Sequence, residues 1–159
     1  MFRIGIGHDT HRLASGRPLI LGGVLVESAE RGAEGHSDAD ALAHAITDAI
    51  LGALCEGDIG VHFPDKDPRW KDADSLQLLA RVVWLASQSG FKVVNVDANV
   101  SLERPRLRPY IQEMRERLAH VLSIETNCVS VKAKTGEGLD AVGEGRAIVA
   151  QAVVLLGRA

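Results

Sequence analysis

Aromatic side chains are scarce in this 159-residue chain, which holds only three Phe, two Trp and one Tyr. Its interior must therefore be filled by Val, Leu, Ile and Ala. Cysteine is scarcer still: Cys55 and Cys128 lie far apart and form no CxxC pair. Two reduced, buried thiols in a cytosolic protein are expected rather than a disulfide. No apolar run approaches membrane-spanning length, and the N-terminus enters strand-like sequence at once, with neither a basic leader nor a signal-type apolar stretch. The expectation is an unprocessed cytoplasmic protein with no membrane partner. Neither charge sign dominates, with 18 basic against 21 acidic residues and a net charge of -3. The basic residues are dispersed, which argues against a nucleic-acid surface but leaves small anionic substrates open. The GxxxxGK[ST] loop, the GxSxG elbow and a dinucleotide fingerprint in a strand-helix setting are all missing, so P-loop, serine-hydrolase and Rossmann chemistry have little support.

What remains is an ordinary globular composition, 46% apolar and 25% charged, at a length that suits one domain spanning residues 1–159. "FRIGIG" alternates, with Phe2, Ile4 and Ile6 on one face. If extended geometry continues through "HDTH", Asp9 and His11 share the other side, while His8 points with the apolar, core-facing set. "RPLILGGVLVE" reads as a strand or hairpin broken at Gly22-Gly23, followed by a polar loop, "SAERGAEG". "HSDADALAHAITDAILGAL" is a helix with Leu42, Ile46, Ala49, Ile50 and Ala53 as its buried stripe and Ser37 with Asp40 as a capping box. Asp40, His44 and Asp48 form a row on its polar side. "GDIGVHFPDKDPRW" is a loop, and a second helix runs from about Asp74 to Ser89. "FKVVNVDANVSLE" is a strand alternating through Val94, Val96, Ala98, Val100 and Leu102. A helix opened by Pro109 buries Ile111, Met114, Leu118, Val121 and Leu122. "CVSVKAK" is a strand, and "GEGRAIVAQAVVLL" reads as a short helix leading into a last strand. The fold class is α/β (α+β), a small mixed sheet with helices on one face. The sheet's other face also needs a cover, and a second subunit is an ordinary one.

Asp9, His11 and His44 offer a carboxylate and two imidazoles, the donor set of an open zinc-type site. The alternative is a polar strand end beside a helix turn decorated with Asp for dipole reasons. Asp48 can hold the far imidazole nitrogen of His44 or coordinate directly. His36 and Ser37 sit at a helix start, where backbone N–H groups attract anions, and Ser37 reads either as a phosphate contact or as a cap. Asp58 and Gly60, backed by Phe63, either line a polyol-like substrate or form a turn. In "KAKTGEG", Lys134 and Thr135 can hold a diphosphate and Glu137 a harder ion such as magnesium or manganese, unless the strand merely faces solvent.

Taken in order, "GHDTHRL", "GHSDADALAHAITDAILGAL", "GDIGVHFPDKDPRW", "DSLQLL", "NVDANVSLERPRLRPYI" and "SVKAKTGEGLDAVGEGRAI" resemble the motifs of the 2-C-methyl-D-erythritol 2,4-cyclodiphosphate synthase family across nearly the whole chain. The resemblance implies a homotrimer with active sites between subunits and a cytidine-diphosphate-linked substrate, cyclised with release of CMP. It implies that Asp9, His11 and His44 hold Zn2+ or Mn2+ and that Glu137 contacts Mg2+ or Mn2+ between the phosphates. His36 and Ser37 match phosphate-side positions, Asp58 and Gly60 the part that grips the methylerythritol, and Phe63 and Asp65 are expected among the substrate-binding residues. Leu102, Pro105, Arg106 and Leu107 match the cytidine pocket, and Lys134, Thr135 and Asp48 the catalytic positions. The chain departs from the family pattern at "SLERPRL", where "IAQxPKL" is expected, at Lys134, where threonine is common, and at Glu144 and Arg146, whose order is exchanged. Two other readings fit the residues: a metal-dependent phosphohydrolase using Asp48 as base, and a noncatalytic oligomeric binding protein.

Overall fold

A computed structural model describes residues 1–64 and 66–159. The main sheet is built from β1 (Phe2–Ser15), β4 (Arg31–Ala33), β5 (Phe91–Ser101), β6 (Val129–Lys134) and β7 (Ala147–Arg158), in the order β4-β1-β7-β5-β6. Only the β5–β6 pair is parallel, so the sheet is mixed. The crossover from β5 to β6 is made by α4 (Ile111–Leu122), as a parallel connection requires. The strands β2 (Ile20–Leu21) and β3 (Val24–Leu25) form a separate hairpin, turning at Gly22 and Gly23, both with positive φ. Helices α1 (Ala41–Leu54), α3 (Ser75–Gln88) and α4 lie on one face of the sheet, while α2 (Ile59–His62) and α5 (Asp140–Gly143) are single turns.

The face that β1 turns to the helices differs from the expected one. Phe2, Ile4 and Ile6 are 70%, 71% and 73% exposed, whereas Gly5 and Gly7 are buried under α1. A Cβ on Gly5 would stand 1.8 Å from the carbonyl oxygen of Ala49, and one on Gly7 1.9 Å from that of Ala45. The missing side chains let helix backbone rest on strand backbone. The glycines, not the isoleucines, therefore mark the inner face. Arg3, next on the same face, donates to the last carbonyls of α1, Ala53 O and Leu54 O, at 3.4 and 3.2 Å.

Helix α1 is sandwiched between the sheet and α3, so its expected polar row does not face solvent. The stripe Leu42, Ile46, Ala49, Ile50 and Ala53 is buried as expected, but Asp40 is buried completely. Asp40, rather than Ser37, is the N-cap. Its carboxylate accepts the N–H groups of Ala43, Gly22 and Gly23, tying the hairpin turn to the helix start. Burial nevertheless pushes its carboxyl up to about 6.

Other boundaries moved in smaller ways. The loop "SAERGAEG" contributes β4, and α4 begins at Ile111, two residues past Pro109. A bulge between Val93 and Asn95 shifts the inward phase of β5, so that Val93 rather than Val94 is buried before Val96, Ala98 and Val100. The thiols are free but not buried as expected: Cys55, the left-handed cap of α1, is exposed and Cys128 is half-buried. No helix of the described residues is long and apolar enough to cross a membrane.

Candidate metal and diphosphate site

Helix α1 runs antiparallel to β1, with Ala49 over Gly5 and Ala45 over Gly7. The next inward positions on the strand are Asp9 and His11, and the preceding helix residue is His44. The contact that demands glycine thus sets the three polar residues together. Asp9 Oδ2 lies 2.8 Å from His11 Nε2 and 3.0 Å from His44 Nδ1, and the two ring nitrogens are 3.3 Å apart. His11 Nδ1 donates to the carbonyl of Glu34 at 2.7 Å, which leaves Nε2 to face the cluster.

Burial pushes the Asp9 carboxyl up, but hydrogen bonds from both imidazoles and their charge outweigh it and hold it well below the usual carboxylate range. Burial likewise opposes protonation of His11, yet the bond and charge of Asp9, with the Glu34 carbonyl, raise it above its ordinary value. These donor atoms fit a divalent ion. All lie within 4.8 Å of one another, and a tetrahedral site with Zn–N bonds of about 2.0–2.1 Å has nitrogen–nitrogen edges of about 3.3 Å.

The group opens into a cleft of about 230 Å³ lined also by His36, Ser37, Gly60, Phe63 and Trp70. His36 Nε2 is buried there with no hydrogen-bond partner among the described residues. Phe63 packs edge-on against Trp70, with ring centroids 5.1 Å apart. Asp58 caps α2 by accepting the Val61 N–H at 3.0 Å, so the turn reading holds for one of its oxygens. Asp65 lies outside the described residues.

Asp48 does not hold the imidazole of His44. Its carboxylate instead accepts the Ile59 N–H at 2.7 Å, fixing the loop that carries Gly60, and its carboxyl is raised chiefly by burial, then by Asp58 and Asp9. The far nitrogen of His44 meets Ser75 Oγ at 2.8 Å and Ser37 Oγ at 3.2 Å. Sequence reading missed Ser75, because "DSLQLL" read as a helix start and a family-like segment, with no role for its hydroxyl. It missed Trp70 too, since nothing local separates it from a loop residue.

The remaining expected residues stand elsewhere. Lys134 ends β6 and Thr135 and Glu137 follow it, all exposed, with Thr135 Oγ1 donating to Glu137 Oε1 at 2.5 Å. Leu102 and Leu107 are buried, with Pro105 and Arg106 between them. The two segments are clamped together: Leu102 N–H donates to the Lys134 carbonyl, and Gly136 N–H to Glu103 Oε2, both at 2.9 Å. Thr10 pairs with Val149, Val149 with Ser101 and Ser101 with Lys134, so this segment and the triad share one end of the sheet. They occupy different sides of it, three strand spacings or about 14 Å apart.

A family model described as the YgbB family matches residues 2–157. The chain belongs to this family. Over 154 residues it is 58% identical to the 2-C-methyl-D-erythritol 2,4-cyclodiphosphate synthase of Solibacter usitatus, covering 97% of this chain and 96% of that one. The protein of the same name from Geobacillus kaustophilus is 56% identical over 156 residues, or 98% of each chain. Among solved structures, a 2C-methyl-D-erythritol-2,4-cyclodiphosphate synthase in a CDP-bound form superimposes with a TM-score of 0.90 at 41% identity, covering 98% of this chain and all of that one. The bifunctional IspDF of Campylobacter jejuni gives a TM-score of 0.95 at 36% identity, and this chain covers 43% of it.

Proposed function

We propose that the protein converts 4-diphosphocytidyl-2-C-methyl-D-erythritol 2-phosphate into 2-C-methyl-D-erythritol 2,4-cyclodiphosphate and CMP. On this reading residues 1–159 are one catalytic domain of a cytoplasmic phosphorus–oxygen lyase. The observation that carries it is the convergence of Asp9, His11 and His44 on one point, in a chain that is 58% identical over 154 residues to a 2-C-methyl-D-erythritol 2,4-cyclodiphosphate synthase. An oxygen of the substrate's 2-phosphate forms the new bond to the β-phosphorus, and the bond from that phosphorus to its bridging oxygen breaks, so that CMP leaves with the oxygen. A divalent ion, Zn2+ or Mn2+ at Asp9, His11 and His44 and Mg2+ or Mn2+ at Glu137, supplies Lewis-acid stabilisation of phosphate charge when bound.

The protein's own groups hold the phosphates near each other, which makes attack intramolecular. Ser37, with the orphaned Nε2 of His36, faces phosphate oxygens. Lys134 and Thr135 offset charge on the diphosphate. Asp48 steadies the loop bearing Gly60, which with Asp58, Phe63 and Asp65 grips the methylerythritol. Leu102, Pro105, Arg106 and Leu107 seat the cytidine. No side-chain nucleophile is needed.

Two half-sites on different sides of one sheet support a homotrimer in which β6 of one copy meets the triad of the next. The exposed Phe2, Ile4, Ile6 and Val153 give the sheet an apolar outer face for that assembly to cover. Phosphorus NMR of the protein with the cytidyl substrate, with and without divalent metal, tests the reaction. A cyclic diphosphate with stoichiometric CMP is expected, and inorganic phosphate as the main product would assign the site to hydrolysis instead.

A further inference from the structure

His44 has two ring nitrogens and only one can present a lone pair to a metal, yet unlike His11 it has no backbone carbonyl at its far nitrogen among the described residues. That place is taken by Ser75 Oγ at 2.8 Å. A hydroxyl can either donate to an imidazole nitrogen or accept from it, so Ser75 alone decides nothing. Its own hydrogen, however, is committed. Ser75 Oγ makes a short bond to Asp38 Oδ1, and a carboxylate only accepts. Asp38 is itself held in place, since its Oδ2 accepts the Ser75 N–H at 3.0 Å and its Oδ1 the Asp40 N–H at 3.2 Å. With its hydrogen given to Asp38, Ser75 turns a lone pair toward His44, and His44 Nε2 must carry the proton.

We propose that Asp38 and Ser75 form a positioning relay that holds a proton on His44 Nε2 and thereby reserves Nδ1, 3.0 Å from Asp9 Oδ2, for the ion that Asp9 and His11 would share. The relay deepens the metal reading of the triad and rests on it. Ser75 is completely buried at the start of α3, so water does not compete for the bond. Ser37 Oγ, 3.2 Å from the same nitrogen, already accepts the Ala39 N–H at 3.2 Å. Because Nε2 is a donor, the Ser37 hydroxyl hydrogen is released to point into the cleft, where an anionic oxygen can take it. One relay thus sets a metal ligand and an anion donor together.

The test uses the full chain, with Ser75→Ala and Asp38→Asn as variants and zinc as the probe. Long-range nitrogen NMR of the metal-free protein reads the tautomer directly. The wild type is expected to keep a proton on His44 Nε2, Ser75→Ala to leave the ring proton on Nδ1 against Asp9, and Asp38→Asn to fall between them. Zinc affinity, measured by competition with a chromophoric chelator at fixed pH, is expected to fall 10–100-fold in Ser75→Ala and less in Asp38→Asn. Circular dichroism and the thermal midpoint identify any variant that fails to fold, and the other variant then decides. A folded variant with the wild-type tautomer and zinc affinity would overturn the relay. A wild-type protein that binds no zinc would instead undo the metal reading, with the metal-free tautomer measurement still deciding what Asp38 and Ser75 do.

Discussion

His11 and Asp9 make a proton-sensitive pair. His11 is raised above its ordinary value by the carboxylate beside it, and a metal must displace that proton to reach Nε2. Zinc affinity is therefore expected to be constant well above the raised value and to weaken as pH falls through it. Titration calorimetry in buffers of different ionisation enthalpy should show proton uptake by the buffer on zinc binding. An affinity unchanged from about pH 8 to about pH 5 would contradict the pairing. His44→Ala should abolish both zinc uptake and turnover while leaving a folded oligomer, and metal analysis after gel filtration checks this. The clustering of Asp9, His11 and His44 was legible in the sequence because strand alternation put Asp9 and His11 on one side and helical spacing separated His44 from the apolar stripe. Ser75 and Asp38 were not, since each is an ordinary helix-start residue until three segments meet. Asp48 was read one step wrong: helical spacing brings it near His44, but the Ile59 N–H claims its carboxylate.

At the scale of elements, the contact between α1 and β1 is the one most sensitive to a single atom. Gly7→Ala places a methyl 1.9 Å from the Ala45 carbonyl oxygen, which is backbone and cannot rotate aside. The substitution should cost about 3 kcal/mol of stability or more, read as a lower urea midpoint with an unchanged slope. It should also lower zinc affinity, because the helix that carries His44 is the part displaced. The sequence pattern misled here for a physical reason. Alternation reports that two faces differ but not which is covered, and "FRIGIG" offers isoleucine to one face and glycine to the other. Apolar content favoured the isoleucines, whereas close backbone packing favoured the glycines. Elsewhere, helices α3 and α4 and strand β6 stood where the periodicity put them, and β5 did so beyond the bulge at Val93–Asn95. β4 escaped notice because three residues are too few to show alternation.

For the whole molecule, the exposed apolar face predicts its own disruption. Ile4→Glu and Ile6→Glu should give single subunits by sedimentation, with the helix signal of the wild type, while a wild-type light-scattering mass of three subunits is expected. Whether sites are shared can be tested by mixing two inactive variants. His44→Ala and Glu137→Ala damage different halves, so each alone should be inactive. Mixing them by denaturation and refolding should restore about a quarter of wild-type activity, because a randomly mixed ring keeps one intact junction. No recovery would mean that each chain builds its site alone. The exchange of Glu144 and Arg146 relative to the family's order leaves the two paired with each other at 2.5 Å, a local contact that needs no neighbouring copy.

The register row from Thr10 to Lys134 carries one more consequence. In the proposed trimer, where the triad of one copy meets the Lys134–Glu137 loop of the next, a lone subunit would hold only the parts of a catalyst. Turnover per mole of chain is then governed by mass action: it stays constant while subunits are assembled and collapses on dilution below their dissociation constant.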